Sequence, residues 1–253
     1  GYPEGDWATR DAIARQYLDY MLGQLWYLQH DPEVPANTRT FWQDYGLARD
    51  EFPDHQHLPY EVYVREARRL VGRYVFTERD GRRAPGLERP PIQSDSVATT
   101  DWPMDSVACH ETTVPGSRPD GVFFLAEESR PSQVPWRCLL ARDLDNLLAP
   151  VCLSASHVGW GCLRLEPVWV QTGEAAGLAA ALAHQGGVPV AQVQPTLLVA
   201  ELAKRRHLIS FLNDADSFLP ESWVPAVQFF GTQGFFPGFD ARPQAPLTKA
   251  VAA

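Results

Sequence analysis

The chain is short of what several large functional classes require. Lys and Arg number 22 against 31 Asp and Glu, a formal charge of −9. The basic stripe that neutralises nucleic-acid phosphates is therefore missing, and no nucleic-acid partner is expected. No apolar run reaches the ~20 residues of a helical membrane span, so no membrane partner is expected either. The opening GYPEGDWATRDA has no basic region followed by an apolar one and does not read as a signal peptide. It begins with Gly1 in place of Met, which allows a true start upstream and leaves the compartment open between cytoplasmic and exported. The four cysteines, Cys109, Cys138, Cys152 and Cys162, form no Cys-x-x-Cys pair, which argues against a zinc site. Buried free thiols are the favoured reading, with a Cys152–Cys162 bridge as the alternative in an oxidising compartment. His55 and His57 in DHQH have no third ligand beside them, and no metal is expected. Among 18 glycines none builds a Gly-x-Gly-x-x-Gly turn, the cradle that holds a dinucleotide pyrophosphate at a helix start.

What is present suits a globular protein. At 253 residues with 45% hydrophobic and 21% charged side chains, the chain can bury a core in one or two domains. Thr9 is a cap candidate for a helix to about His30, with Ile13, Tyr17, Met21 and Leu25 on a face expected to pack firmly and Asp31-Pro32 as the stop. A shorter helix is expected over Asn37–Tyr45, ended by Gly46. Leu70–Thr77 and Val122–Ala126 read as strands. Residues 81–93 and 113–121 read as Pro- and Gly-rich surface loops. Two short strands are expected between them, around the Asp-Ser-Val-Ala repeat at 95 and 105. A helix is expected from Pro195 to about Arg206, and the aromatic tail Phe229–Phe239 should pack back onto the body. Arg65, Glu66, Arg68 and Arg69 read first as a solvated face with local ion pairs.

The richest stretch runs from Asp145 to Gly187. Leu147–Leu153 is short and apolar, as expected of a strand covered on both faces. Ser154, Ser156, Gly159 and Gly161 then make a loop of little bulk around His157. Pro167 suits a first helical turn and Gly186-Gly187 its end. Between them Gly173, Ala176, Gly177, Ala180 and Ala181 recur at helical spacing, so a backbone or a flat ligand can approach closely. A tightly packed core helix would carry the same pattern.

The wording NLLAPVCLSASHVGWGCLRLEPVWVQTGEAAGLAAALA resembles the flavin-contacting segment of FAD-dependent oxidoreductases of the xanthan-lyase-like kind. LPYEVYVREARRLVGRYVFTERD, SQVPWRCLLARDLDNLL and AVQFFGTQGFFPGFDARPQAPLT are similar to further segments of that family, in the same order. The resemblance implies an α/β fold class: a partial FAD/NAD(P)-binding, Rossmann-like flavoprotein fold with a substrate-side α+β region. Residues 1–140 would form that substrate side, 141–188 the FAD-contacting strand, loop and helix, and 189–253 a helical and aromatic tail. The cofactor implied is FAD. Its contacts would be Cys152, Ser154, Arg164, Glu166, Pro167, Gln171 and Gly173, with His157 as the catalytic residue, to hydrogen-bond the flavin or take a substrate proton; a histidine that only satisfies loop carbonyls is the rival reading. Arg164 would offset charge on the flavin or a phosphate, and the backbone after Pro167 would meet the isoalloxazine. The Arg65–Arg69 cluster could line an interdomain or substrate pocket. His110 stands three residues beyond the place where family members often carry a histidine, which weakens a role for it. The missing glycine turn implies a partner, a separate N-terminal nucleotide-binding half. The reaction implied is hydride removal from a C–H bond of a small, sugar-like substrate. Two rivals stay open. One is a non-catalytic interaction subunit or degenerate fragment that does not bind FAD alone. The other, ranked last, is a polysaccharide module using Trp102, Trp136 and Trp160.

Overall fold

The computed structural model describes residues 1–108, 114–117 and 119–246, which fall into two compact units, Gly1–Arg68 and Arg69–Ala253. The first unit is a helical hairpin. Helix α1 spans Trp7–His30 and α2 spans Ala36–Gln43. The cap of α1 is Asp6, not Thr9: the Asp6 carboxylate accepts from the Thr9 N–H at 2.8 Å, which satisfies one of the orphan first-turn donors. Hydrogen bonding from the Thr9 side chain, and after it from this N–H, holds the Asp6 carboxyl below its ordinary pKa. The Asp31 N–H closes the helix on the Tyr27 carbonyl, so the stop falls where Asp31-Pro32 places it. Helix α2 ends before Tyr45, at the Asp44 cap. The expected firm packing of α1 is overturned. None of its residues is buried, and Tyr17 and Met21 lie exposed.

Among its described residues the second unit holds four short strands: β1 (Ser96–Thr100), β2 (Met104–Ser106), β3 (Phe123–Leu125) and β4 (Ser132–Pro135). Strands β1 and β4 pair antiparallel, Thr99 opposite Gln133, with an irregularity between Ser96 and Ala98. Strands β2 and β3 pair antiparallel through Asp105 and Phe124. A parallel, doubly wound sheet has no counterpart among the described residues. Every residue of β1 is buried, because α5 (Glu166–Gly186) and α6 (Pro195–Lys204) pack against it. Phe76, Val97, Trp136, Leu153, Leu163 and Leu198 stand in the core formed there.

Two expected strands are not regular strands. Leu70–Thr77 and Leu147–Leu153 form isolated bridges and single backbone bonds instead. The Leu70 N–H reaches the Cys152 carbonyl at 2.8 Å, Ser154 N–H the Cys138 carbonyl at 2.9 Å, and Phe76 N–H the Ser154 carbonyl at 3.1 Å. Pro150 has no N–H to give to a ladder, and Leu147 and Val151 are exposed. Within the segment only its last residue, Leu153, is buried. Residues 81–93 are not wholly surface. Arg89 is 1% exposed, packed 5.3 Å from the Phe239 ring, with long bonds of 3.4 Å to Ser210 and the Gly238 carbonyl. Burial lowers its pKa to about 10, and its aromatic contact ties the tail to the body.

Three helices were not anticipated. Helix α3 spans Glu78–Gly81, α4 spans His157–Leu163 and α7 spans Val224–Thr232. Helix α4 is wedged between two stretches of main chain. A Cβ at Gly159 would lie 2.4 Å from the Phe76 carbonyl oxygen, and one at Gly161 would lie 2.5 Å from the Asp105 carbonyl oxygen. Neither neighbour is a flexible side chain. Gly161→Ala should therefore lower stability by about 1–3 kcal/mol, as overpacking does, although Ala is the better helix former. Gly177→Ala, which meets no atom within 4 Å, should raise stability by up to about 1 kcal/mol. Chemical denaturation of the two variants checks the opposite signs.

Candidate functional site

The SASH stretch is a helix start and not a loop. The Ser156 hydroxyl accepts from the Gly159 N–H at 3.1 Å, and the Ser156 N–H donates to the Phe76 carbonyl at 2.8 Å. His157 is thereby placed as the first residue of α4. Its Nε2 lies 3.1 Å from the Gly121 carbonyl, and its ring meets Phe123 edge-on at 5.4 Å. Seven residues of α4 at 1.5 Å rise place Arg164 roughly 10 Å further along. The histidine and the arginine thus stand at opposite ends of one short helix.

Arg164 caps α4 and is 7% exposed. Its Nη2 donates to the Asp105 carboxylate at 2.7 Å, and its buried Nε has no partner among the described residues. The Trp102 indole N–H also donates to Asp105, at 3.2 Å. Sequence reading passed over Asp105. It stands in the second Asp-Ser-Val-Ala repeat, but only the fold brings it to Arg164. Helix α5 then begins at Leu165, whose side chain offers no cap, with Glu166 and Pro167 exposed in its first turn. The start of α5 therefore keeps a positive dipole end toward the surface, which Glu166 partly offsets. Gly187, in the left-handed conformation at φ 63°, ends the helix as its position predicts.

The small-residue stripe divides in two. Ala175, Ala176, Ala179 and Ala183 are buried, against β1 and α6. Gly173 and Gly177 face the other way, and a Cβ at either would meet nothing within 4 Å. Gln171 is committed to the protein. Its amide accepts from the Thr99 N–H at 3.0 Å and donates to the Thr99 and Pro167 carbonyls at 3.2 Å. It thus completes the edge of β1 as a neighbouring strand would. Ser154 is buried against Gly72, its hydroxyl unpartnered. Cys152 is an exposed thiol, whereas Cys138 and Cys162 are buried, and all three are free, so no Cys152–Cys162 bridge forms. Burial raises both inner thiols, Cys162 to about 12.

The charged run before this unit is only partly a solvated face. Arg68 pairs with Glu4 at 3.7 Å, both well exposed. Arg69 instead donates to the Ala155 carbonyl at 3.0 Å and lies 5.8 Å from the Trp160 ring. Trp160 in turn stacks on Trp169. Trp136 and Trp160 are core residues and Trp102 is partly exposed, so the three do not form a sugar-stacking surface. His55 and His57 each hold a loop carbonyl at 2.9 Å. No group of three or more metal-type ligands occurs among the described residues. Cys109 and His110 lie outside the described residues. His207, also unanticipated, is buried between the Glu174 carboxylate at 3.0 Å and the Val97 carbonyl at 2.9 Å.

A family model described as FAD dependent oxidoreductase matches residues 1–205. The chain belongs to that family. No curated protein and no solved structure matches it. The family's cofactor can be tested against the side chains in hand. The uncapped start of α5 and the open Gly173–Gly177 edge suit a flat, electron-rich ring laid along the helix. Arg164, Gln171 and Ser154 do not reach outward, being engaged within or packed into the chain.

Arg164→Met should cost the chain about 3 kcal/mol, the lower end of the range for breaking a buried pair, because Asp105 is partly exposed. Arg164→Met combined with Asp105→Asn should cost less than the sum of the two, which a double-mutant cycle by denaturation measures. At pH 8, iodoacetamide should label Cys152 in the folded chain and reach Cys138 and Cys162 only in denaturant, read by peptide mass mapping. The unfolded chain releases thiol protons near about 8.5, the folded chain only near 12 at Cys162. Stability should therefore fall as pH rises through that interval.

Proposed function

We propose that this chain forms the flavin- and substrate-contacting part of an FAD-dependent oxidoreductase that removes hydride from a C–H bond beside a hydroxyl or amine. The observation that carries the reading is the open edge of α5: an uncapped helix start followed by Gly173 and Gly177 with free space above them. The isoalloxazine would lie along that edge, with the backbone from Glu166 onward and the exposed Pro167 beneath it. Cys152 would border it from the preceding segment. FAD supplies the two-electron acceptor. His157, half-buried at the start of α4, would take the hydroxyl or amine proton of a small, sugar-like substrate. Arg164 and Gln171 would act behind the surface, fixing the start of α5 through Asp105 and Thr99. On this reading residues 1–140 supply the substrate side, 141–188 the flavin contacts and 189–253 the tail. The pyrophosphate would be held by a glycine-rich, Rossmann-like segment beyond these residues, since none of the 18 glycines builds that turn.

One observation favours a second reading, a non-catalytic interaction subunit. Arg164 and Gln171, both expected to touch cofactor, spend their hydrogen bonds inside the chain. A flavin titration followed by tryptophan quenching separates the two. If the ring alone is contacted, FAD and riboflavin should bind with affinities within about threefold of each other. Gly173→Leu should weaken both at least tenfold by filling the edge, while His157→Gln should leave binding intact. Absence of quenching by either flavin would favour the non-catalytic role.

A further inference from the structure

We propose that the α1–α2 hairpin is a docking surface for a protein partner presenting an apolar face rimmed by Lys and Arg. This goes beyond the flavin reading and uses neither His157 nor any residue named there for the flavin contacts. Neither helix buries a residue, and Val34 is the one buried apolar side chain among residues 1–68. Trp7 is 77% exposed, Tyr20 68% and Trp26 61%, with Tyr17, Met21 and Phe41 also in the open. These positions are spread around the helix, not confined to one stripe, and a helix apolar on several sides is one that proteins enclose. A surface this apolar marks an interaction site.

The hairpin holds its shape without a core. The Gln29 amide donates to the Trp42 and Tyr45 carbonyls at 2.9 and 2.8 Å, and Gln43 donates back to Gln29 at 3.1 Å. Arg39 donates to the Val34 carbonyl at 2.8 Å. The aromatics are thus displayed on a preformed frame, which lowers the ordering cost of binding.

Charge selects the occupant. Residues 1–68 carry twelve Asp and Glu against six Lys and Arg, a charge of −6, leaving −3 of the total −9 to the rest. A second hairpin would bring −6 against −6, and an anionic lipid surface would be repelled likewise. A basic rim is complementary. Asp19 lies on the face of Trp26, seven residues away, and Asp11 on that of Trp7, four away, so acidic groups border the apolar ones.

The test uses the full chain and two labelled amphipathic helical peptides with one apolar face, rimmed by Lys or by Glu. Fluorescence anisotropy should show the Lys-rimmed peptide binding at least tenfold tighter at low salt, the gap narrowing as salt rises. Tyr20→Gln with Trp26→Gln should cut that binding at least tenfold. Asp11→Lys with Asp19→Lys should narrow the preference, and all four side chains are exposed, so folding is not at stake. Equal binding of both peptides, or of neither, would overturn the proposal. So would a concentration-dependent dimer in sedimentation that the Tyr20 and Trp26 changes dissolve, or hairpin-dependent binding to anionic vesicles.

Discussion

Main chain packed on main chain at α4 is the constraint on which the second unit depends. Gly159 lets the helix touch the Phe76–Thr77 backbone, and Gly161 lets it touch Asp105. Once α4 is wedged there, its cap is fixed to the Phe76 carbonyl and its far end carries Arg164 to the Asp105 carboxylate. Helix α5 starts two residues later. Its origin is thus set by two glycines and one ion pair, and its course by Gln171 on the edge of β1 and by alanines packed on β1 and α6. The buried pair is no large source of net stability, since desolvation offsets most of the attraction. Its consequence is geometric: it fixes where α5 begins.

That geometry divides the small residues of α5 by purpose. Alanine is used where the helix must approach other elements closely and still gain helix propensity. Glycine is used where nothing in the chain approaches. A glycine inside a helix costs roughly 0.5–1 kcal/mol against alanine, and at Gly173 and Gly177 no packing contact among the described residues offsets that cost. Space for a ligand is the account that gives those two glycines a reason. The chemistry proposed for His157 depends on the same frame, because the serine cap and the glycine wedge present the imidazole at the start of α4.

Much of this was legible in the sequence because it rests on local rules. Pro167, Pro195 and Gly187 marked helix ends, β1 and β2 lie where residues alternate around the Asp-Ser-Val-Ala repeat, and β3 lies in the apolar run Val122–Ala126. The helices α3, α4 and α7 were missed, each being short. The glycines of α4 also disguised a helix as a loop. The strand expected over Leu147–Leu153 failed because apolar content does not report which backbone partners are available. Among the site residues, Pro167 is exposed in the first turn of α5, and a Cβ at Gly173 would meet nothing within 4 Å among the described residues. The roles of Arg164 and Gln171 could not be read, since their partners Asp105 and Thr99 are some sixty to seventy residues away. The exposed α1 shows the converse limit: its apolar residues were legible, but whether anything covers them was not.

The place proposed for the flavin is the open edge of α5. Hydrogen–deuterium exchange on the full chain, with and without FAD, tests it most directly. The account predicts slowed exchange confined to peptides covering the start of α5, residues 166–178, and the adjoining 151–158. Unchanged exchange in those peptides with slowing elsewhere in the chain would contradict it.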